Sequence, residues 1–220
     1  MGITIENAAN VVVEDTVVAD FVQQGIWVKS AQEITLERNW VHMIRPEADA
    51  EPKLKEFPIL TPYVIGGITA SERTSKITIR DNVVSGSWHH GYHYVPERCD
   101  SKTRQPRTST ANWHIFENNV AHSISGYGAL GRNQAQDCTI VRDFIAYKCT
   151  EAALHYGGPS LNVARNLVSI DSVYGISVHS GDGKDAEIYD SRVYGEPEDN
   201  GKEVNLDHPQ NSPTDHCLAT

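Results

Sequence analysis

The densest group of side chains able to do chemistry is a seven-residue run, Trp88-His89-His90-Gly91-Tyr92-His93-Tyr94. Imidazole nitrogens are common metal ligands, so His89, His90 and His93 are candidates for a metal site. In a strand, however, neighbouring side chains point to opposite faces, so only two of the three converge unless the chain bends. The alternative interpretation is a surface patch of aromatic and imidazole rings without a metal.

An aromatic surface is the better-founded interpretation of the same region. Trp27 and His93 are expected to share an outward-facing column, with a partial strand between them, and Trp88, His90 and Tyr92 lie near His93 in sequence. Aromatic faces stack on the apolar faces of sugar rings, and exposed tryptophans also make protein contacts. We therefore predict a ligand-binding surface here, with glycans or proteins as ligands.

Three further histidines are weighed in the same way, and two of them, His114 and His122, are also candidates for ligand binding. His114 is expected on an outward column between Thr78 and Thr139, as part of a polar stack. His122 follows a strand, where a hydrogen bond to loop backbone is favoured over ligand binding. His155 is expected on an inward column, as a core histidine with its polar atoms satisfied.

Acidic residues give little support for catalysis. Glycoside hydrolases use two carboxylates at a set separation, and no such pair is evident. Polysaccharide lyases use an arginine as the base, and Arg80 is expected near Glu37 on the neighbouring strand. This pair is equally well explained as a surface ion pair, which contributes little to stability. Asp182 and Asp185 could hold Ca²⁺, but their D-G-K-D sequence is first of all a tight turn. No catalytic residue is predicted, and no cofactor is expected unless Ca²⁺ binds at this turn.

The four cysteines are Cys99, Cys138, Cys149 and Cys217. No C-x-x-C spacing is present, which argues against a zinc knuckle. Cys99 and Cys217 lie in polar, loop-like surroundings that suit a disulfide in an oxidising compartment. Cys138 falls on an apolar strand and is interpreted as a buried thiol, although the sequence alone leaves the pairing open.

Composition favours a β protein. The chain has 220 residues, with 20 Val and 17 Ile but only 9 Leu, and branched side chains pack well on a pleated sheet. Lys and Arg number 19 and Asp and Glu number 29, giving a net charge of −10 without a basic run. These features exclude a helical bundle, a disordered chain and a nucleic-acid-binding protein. No apolar run approaches the ~20 residues of a membrane span.

An eighteen-residue pattern recurs along the chain and indicates how these side chains are positioned. The copies start at Val11, Ile34, Ile77, Trp113, Cys138, Leu161 and Ala186. The third position of each copy is apolar, the second is mostly polar, and this period of two is typical of strands. The eighth position is occupied by Val18, Val41, Val84, Val120, Ile145, Val168 and Val193. The sixth is occupied by Thr16, Asn39, Asn82, Asn118, Asp143, Asn166 and Ser191, which predicts a bend with stacked asparagines.

The repeat predicts an all-β fold, a single-stranded, right-handed parallel β-helix of about seven rungs with three short strands per rung. A leucine-rich repeat shares part of the pattern, but it requires a Leu bias and lacks the third strand. The whole chain, residues 1–220, is expected to form one module of a longer protein. Loop insertions are expected at about 45–63 and 96–111, and an irregular acidic tail at about 196–220.

Two segments also resemble a known family. Asp81–Asp100 (DNVVSGSWHHGYHYVPERCD) and Asn118–Leu130 (NNVAHSISGYGAL) are similar to the β-helix of the fibrocystin and fibrocystin-L ectodomains. Cell-surface hyaluronidase and CEMIP proteins share this β-helix. The resemblance covers residues 77–220 most clearly and the first rungs only loosely.

The resemblance implies a module of a large protein on the cell or ciliary surface. Its partners would be other modules of the same chain, neighbouring surface proteins or glycans. We expect a non-catalytic structural or ligand-binding module. The alternatives are a polysaccharide-active enzyme, a hydrolase or lyase of hyaluronidase type, and a module that assembles end to end into a filament.

Overall fold

The computed structural model describes residues 2–45, 66–70, 74–94, 97–105, 114–132, 138–159, 161–180 and 185–195. Every regular element in these ranges is a β-strand, which confirms the all-β prediction, and no helix there is long and apolar enough to cross a membrane. The predicted insertion at 45–63, apart from Arg45, and the predicted tail at 196–220 lie outside the described residues.

The strands are β1 (Ile3–Glu6), β2 (Ala9–Glu14), β3 (Val17–Val22), β4 (Gln24–Lys29), β5 (Gln32–Glu37), β6 (Trp40–Arg45), β7 (Gly66–Ala70), β8 (Ser75–Arg80), β9 (Val83–Ser87), β10 (His90–Tyr94), β11 (Glu97–Arg98), β12 (His114–Glu117), β13 (Asn119–Ile124), β14 (Tyr127–Arg132), β15 (Cys138–Cys149), β16 (Ala152–Gly158), β17 (Leu161–Ile170), β18 (Tyr174–Ser180), β19 (Ala186–Tyr189) and β20 (Arg192–Tyr194).

These strands form three sheets. The first sheet has the order β1-β4-β7-β10-β14-β16-β18, and the third has the order β12-β8-β5-β2. The second has the order β19-β17-β15-β13-β9-β6-β3, with β20 beside β17 and β11 beside β15. All described pairs are parallel except β11 with β15, and neighbouring parallel strands come from successive copies of the sequence repeat. The third sheet ends at β12, because the later copies contribute β15, β17 and β19 to the second sheet.

The register confirms part of the predicted alignment and corrects the rest. Val11 pairs with Ile34 and Ile34 with Ile77, as predicted. Ile77, however, pairs with His114, so the predicted start at Trp113 lies one residue too early. The starts at Cys138 and Leu161 are early by one as well, because Asn162 pairs with both Thr139 and Ala186.

A slip of one residue exchanges the two faces of a strand, so the predicted core is wrong in the middle copies. The buried row that begins with Val18, Val41 and Val84 continues through Ala121, Ala146 and Ser169. The predicted members Val120, Ile145 and Val168 point outward, and Ile145 is 41% exposed. The third position of the repeat changes in the same way. Its predicted members in the middle copies were Ile115, Ile140 and Val163, but Phe116, Val141 and Ala164 continue the apolar row that contains Leu36 and Ile79.

A ladder of asparagines stabilises the bend between the third and second sheets. The amide N–H of Asn39 donates to Asn82 Oδ1 (2.9 Å), and that of Asn82 donates to Asn119 Oδ1 (3.1 Å). Each side-chain Nδ2 also donates to a backbone carbonyl, as Asn119 does to Ile79 O (2.8 Å). The predicted ladder is therefore real, but its third member is Asn119 rather than Asn118, and Phe144 pairs with Asn119 where the ladder ends.

The residue before each of these bends has a left-handed backbone. The row consists of Asp15, Arg38, Asp81, Asn118, Asp143, Asn166 and Asp190, with φ between 49° and 56°. Asn and Asp tolerate this conformation better than other side chains, because they form local hydrogen bonds. The short polar residues of the repeat thus provide the left-handed residue of each bend. The asparagines of the ladder are the residues that follow them.

A row of small residues brings the first sheet close to the second. A Cβ added to Gly25 would lie 2.2 Å from Val41 Cγ1, and one added to Gly67 would lie 2.2 Å from Val84 Cγ1. Gly91, Gly128 and Ala153 continue this row along β10, β14 and β16. The narrow spacing leaves no room for larger side chains at these positions.

Residues Glu97–Gln105, which we call the strap, cover the outer face of the second sheet. The strap begins with β11, which runs antiparallel to β15, and Cys99 forms a disulfide with Cys138. Ile140, Leu161 and Val163 pack with the disulfide in a small separate core. The predicted pairing of Cys99 with Cys217 is therefore wrong, because Cys138 on β15 is directly opposite the strap; Cys217 lies outside the described residues.

Two Arg–Glu pairs also attach the strap to the sheet. Arg142 on β15 contacts the buried carboxylate of Glu97 (3.1 Å) and also Glu117 (2.6 Å). Arg104 contacts Glu187 through two nitrogens at 2.7 and 2.8 Å. The described part of the predicted insertion thus covers the second sheet, and two of its charged side chains, Glu97 and Arg104, form ion pairs with it.

Candidate functional site

The outer face of the first sheet carries a groove of about 520 Å³. It runs across β10, β14, β16 and β18, so each strand contributes side chains from a different copy of the repeat. The lining residues are His89, His90, Tyr127, Leu130, Gly131, Glu151, His155, Gly157, Gly158 and His179. Rings predominate, and the glycines beside His179 keep one end of the groove open.

Four of these rings form a continuous row along the groove. The ring centroids are 5.8 Å apart between His90 and Tyr127, 5.3 Å between Tyr127 and His155, and 5.2 Å between His155 and His179. These distances approach the spacing of neighbouring strands, about 4.8 Å, because each ring comes from the next strand. We call His90, Tyr127, His155 and His179 the ring row.

Hydrogen-bonding groups accompany the ring row at both ends. His89 Nδ1 lies 3.0 Å from His90 Nδ1, and His179 Nε2 lies 2.9 Å from Ser177 Oγ. Glu151 is exposed at the edge of the groove, where its backbone N–H donates to Gly126 O (3.1 Å). Among the described lining residues it is the only carboxylate.

The electrostatic environment favours neutral rings at this end. Burial lowers the pKa of His89 below its ordinary value, although the nearby Glu151 carboxylate acts in the opposite direction. His89 is therefore neutral near pH 7, and the His89–His90 contact is a hydrogen bond between one imidazole N–H and one acceptor nitrogen.

The structure brings some of the predicted ligand residues near the groove. His90 belongs to the ring row, although it is 1% exposed, and His93 lies 5.9 Å from it between ring centroids. Trp27 shares a column with His93, separated by Thr69 of β7, so the expected partial strand does lie between them. Lys29 lies over the Trp27 ring at 5.1 Å, and Trp88 is half-buried before β10.

Tyr92 is not a surface residue, which corrects its place among the ligand candidates. It is fully buried, and its hydroxyl donates to Asn82 O (2.8 Å) and lies 3.1 Å from Val120 O. Its ring packs edge-on against Phe116. Tyr92 faces the interior although His90, two residues earlier, lines the groove, so the alternation expected from His89 to His93 does not hold.

His114 and His122 also differ from expectation. His114 pairs with Ile77 on an inward-facing column rather than standing between Thr78 and Thr139, and burial, followed by the charge of Arg98, lowers its pKa to about 4. His122 lies on the outer face of the second sheet, away from the groove. Its ring stacks on Tyr147 at 4.7 Å, and its Nδ1 contacts the Ser123 hydroxyl rather than loop backbone.

His155 is the largest correction, because it was expected in the core and it lies in the centre of the groove. It pairs with Leu130 and Ser177 in the outward column of His93, whereas Tyr156 takes the inward place. The sequence did contain a signal for the position of His155, namely the row of small residues. Aligning Gly128 and Ala153 with Gly91 would have put His155 beside His93.

The other residues missed by the sequence analysis are Tyr127, Glu151 and His179. Tyr127 follows Gly126 in a serine- and glycine-rich turn, and its position opposite His90 depends on the 37-residue spacing between β10 and β14. Strand register brings these three residues together. The uneven lengths of the repeats make that register hard to predict from the sequence.

No described group of three or more His, Cys, Asp or Glu side chains is arranged to hold a metal ion. The described residues therefore give no support to a metal site formed by His89, His90 and His93. For the proposed Ca²⁺ turn, Asp185 is exposed and described, whereas Asp182 lies outside the described residues.

Comparisons with known proteins identify no relative of this chain. No family model, no curated protein and no solved structure matches it.

Proposed function

We propose that the chain is a non-catalytic module of a larger fibrocystin-like protein of the cell surface, and that its groove binds glycans. The observation that carries this proposal is the ring row, which lies in an open groove with hydrogen-bonding groups beside it. Sugar rings present flat apolar faces edged by hydroxyl groups, and such a surface complements both features.

The proposed fold is one right-handed parallel β-helix. It is supported by the parallel pairing of repeat strands in all three sheets. It is also supported by the order in which the chain visits the first, third and second sheets, which is kept from β1 to β10 and again, after the strap, from β12 to β14. The asparagine ladder, a feature of regularly stacked strands, also favours a single coil.

An extracellular location is supported by the disulfide between Cys99 and Cys138, because disulfides persist mainly in oxidising compartments. The fibrocystin-like segments Asp81–Asp100 and Asn118–Leu130 supply β9, β10, β13 and the first part of β14. The similarity thus falls on the strands that begin the groove.

The proposal is tested by screening the chain on a glycan array and then measuring the affinity for the best ligand. Tyr127→Ala and His155→Ala are each expected to weaken binding by about thirtyfold, since central contacts contribute about 2 kcal/mol. Tyr147→Ala is the matched control, because this tyrosine stacks on His122 on the other sheet. Equal losses in all three variants, or no glycan binding at all, would contradict the proposal.

A polysaccharide-active enzyme is the main alternative use of the same groove. Glu151 and the adjacent histidines are the groups such an enzyme would use, but the usual hydrolase requires a second carboxylate. Incubating the bound glycan with the chain and measuring the reducing ends or unsaturated products distinguishes the two. Product formation that is lost in Glu151→Gln would favour the enzyme.

A further inference from the structure

The groove contains an unusual proportion of ionisable rings. Three of the four members of the ring row are imidazoles, and His89 and His93 contact His90 at ring-centroid distances of 4.0 and 5.9 Å. A surface that only stacks on neutral sugars needs no ionisable group, and tyrosine or tryptophan provides more area. Histidine adds a charge that appears between about pH 5 and 8.

We infer that the groove's ligand is an anionic saccharide, bearing carboxylate or sulfate groups, and that it binds when the contacting pair His89 and His90 takes up a proton. This inference rests on the proposed glycan-binding function and specifies the ligand class. The Glu151 carboxylate at the edge of the groove repels an anion. Proton uptake by the His89–His90 pair places a positive charge beside it that offsets this repulsion.

The contact between His89 and His90 supplies the geometric basis. Their Nδ1 atoms are 3.0 Å apart, so one nitrogen must be unprotonated in order to accept the hydrogen bond. Protonating this acceptor replaces the hydrogen bond by two facing N–H groups and gives the pair one positive charge. An anion placed between the rings accepts both N–H groups, so ligand binding and proton uptake support each other.

The groups that surround this pair are consistent with such coupling. Tyr127 of β14 stacks on His90, His155 of β16 and His179 of β18 extend the row, and Glu151 is the carboxylate at the edge. On the other side, β7 contributes Gly66–Ala70, which contains no titratable side chain. Burial already lowers the pKa of His89, and a bound anion would raise it.

The test uses two oligosaccharides that differ only in charge, cellotetraose and its uronic acid counterpart. Affinities are measured by calorimetry at about pH 5.5 and about pH 7.5, on either side of the ordinary histidine pKa. The carboxylated tetramer is expected to bind at least about tenfold more tightly at the lower pH, with net proton uptake, whereas cellotetraose changes by less than about twofold.

Three variants separate the groove from general charge effects. His89→Gln is expected to remove most of the pH dependence, because it removes one ring of the contacting pair, while His122→Gln, on the second sheet, retains it. Glu151→Gln is expected to strengthen binding of the carboxylated tetramer at pH 7.5, because it removes the repelling charge. Circular dichroism at both pH values confirms that each variant is folded.

Each outcome has a distinct meaning. A carboxylated tetramer that binds equally at both pH values, or less tightly than cellotetraose, overturns the anionic, proton-coupled ligand but leaves glycan binding intact. Failure of both oligosaccharides to bind at either pH overturns this inference, and with a negative glycan array it overturns the proposed function as well.

Discussion

The groove on the first sheet and the strap-covered face of the second sheet are built from the same period-two strands, yet one is open and the other is closed. Under the strap, the outward side chains are Ile140 and Val163, and they are buried beneath Cys99. In the groove, the outward side chains are imidazole and phenol rings, of which Tyr127 and His155 remain partly exposed. An outward face that is apolar needs a cover, whereas one made of amphipathic rings is available for a ligand. The difference predicts that changes under the strap affect stability and that changes in the groove affect binding.

The largest loss of stability is expected from Arg142→Met. It leaves the buried Glu97 carboxylate without its main cation, and breaking a buried ion pair costs about 3–5 kcal/mol. Chemical denaturation measures the loss. The double variant with Glu97→Gln, which removes the uncompensated charge, should recover part of it. An unchanged free energy of unfolding would show that the strap contributes little to the fold.

Removing the disulfide is expected to have the next largest effect. The Cys99–Cys138 bond closes a loop with a sequence separation of 39, and cross-links of this kind contribute about 2–4 kcal/mol. The measurement compares thermal unfolding of Cys99→Ser/Cys138→Ser with the oxidised wild type. Cys149→Ser is the control, because Cys149 is a buried cysteine that takes no part in the disulfide. Similar melting temperatures for the double variant and the wild type would contradict a clamping role.

A pH effect on stability is expected from His114. Its folded pKa is about 4, against an ordinary value of 6.5, so the folded state favours the neutral ring. The unfolded chain therefore takes up the proton first, and stability present above pH 6.5 is lost as the pH falls toward 4. We expect His114→Gln to be about 3 kcal/mol less sensitive to this change than the wild type. If the stability of the two proteins changes equally with pH, the His114 ring is exposed to solvent and the prediction is wrong.

The smallest change in stability is expected in the groove. Tyr127→Ala and His155→Ala should lower the free energy of unfolding by about 1 kcal/mol or less, because these rings are partly exposed. A loss as large as that for Arg142→Met would indicate that the ring row supports the fold rather than a ligand.

The sequence predicts the architecture better than the site. The β-branched residues and the period of two were sufficient to predict an all-β fold, and the Arg80–Glu37 ion pair was found where predicted, at 2.7 Å. Three strands per repeat were predicted, but β15 and β17 each run as one long strand through the first two predicted positions. Register was lost at His114, because the interval from Ile77 is 37 residues and one extra residue within a long insertion has no local signature. This slip exchanged Asn118 with Asn119 and placed His155 in the core.

The cysteine pairing failed for a related reason. Pairing depends on which strand the strap crosses, and only the three-dimensional path of Glu97–Gln105 brings Cys99 to Cys138. The groove is likewise a property of neighbouring strands. Its histidines are visible in the sequence, but their order across β10, β14, β16 and β18 follows from register alone.

The most direct test of the central claim is an NMR titration that follows histidine ring signals during addition of a glycan identified on the array. The account predicts that the signals of His155 and His179 shift with saturation, while those of His42 and His122 on the second sheet stay unchanged. Shifts confined to His42 and His122, or no shift in any histidine at saturating glycan, would contradict the assignment of the groove as the binding site.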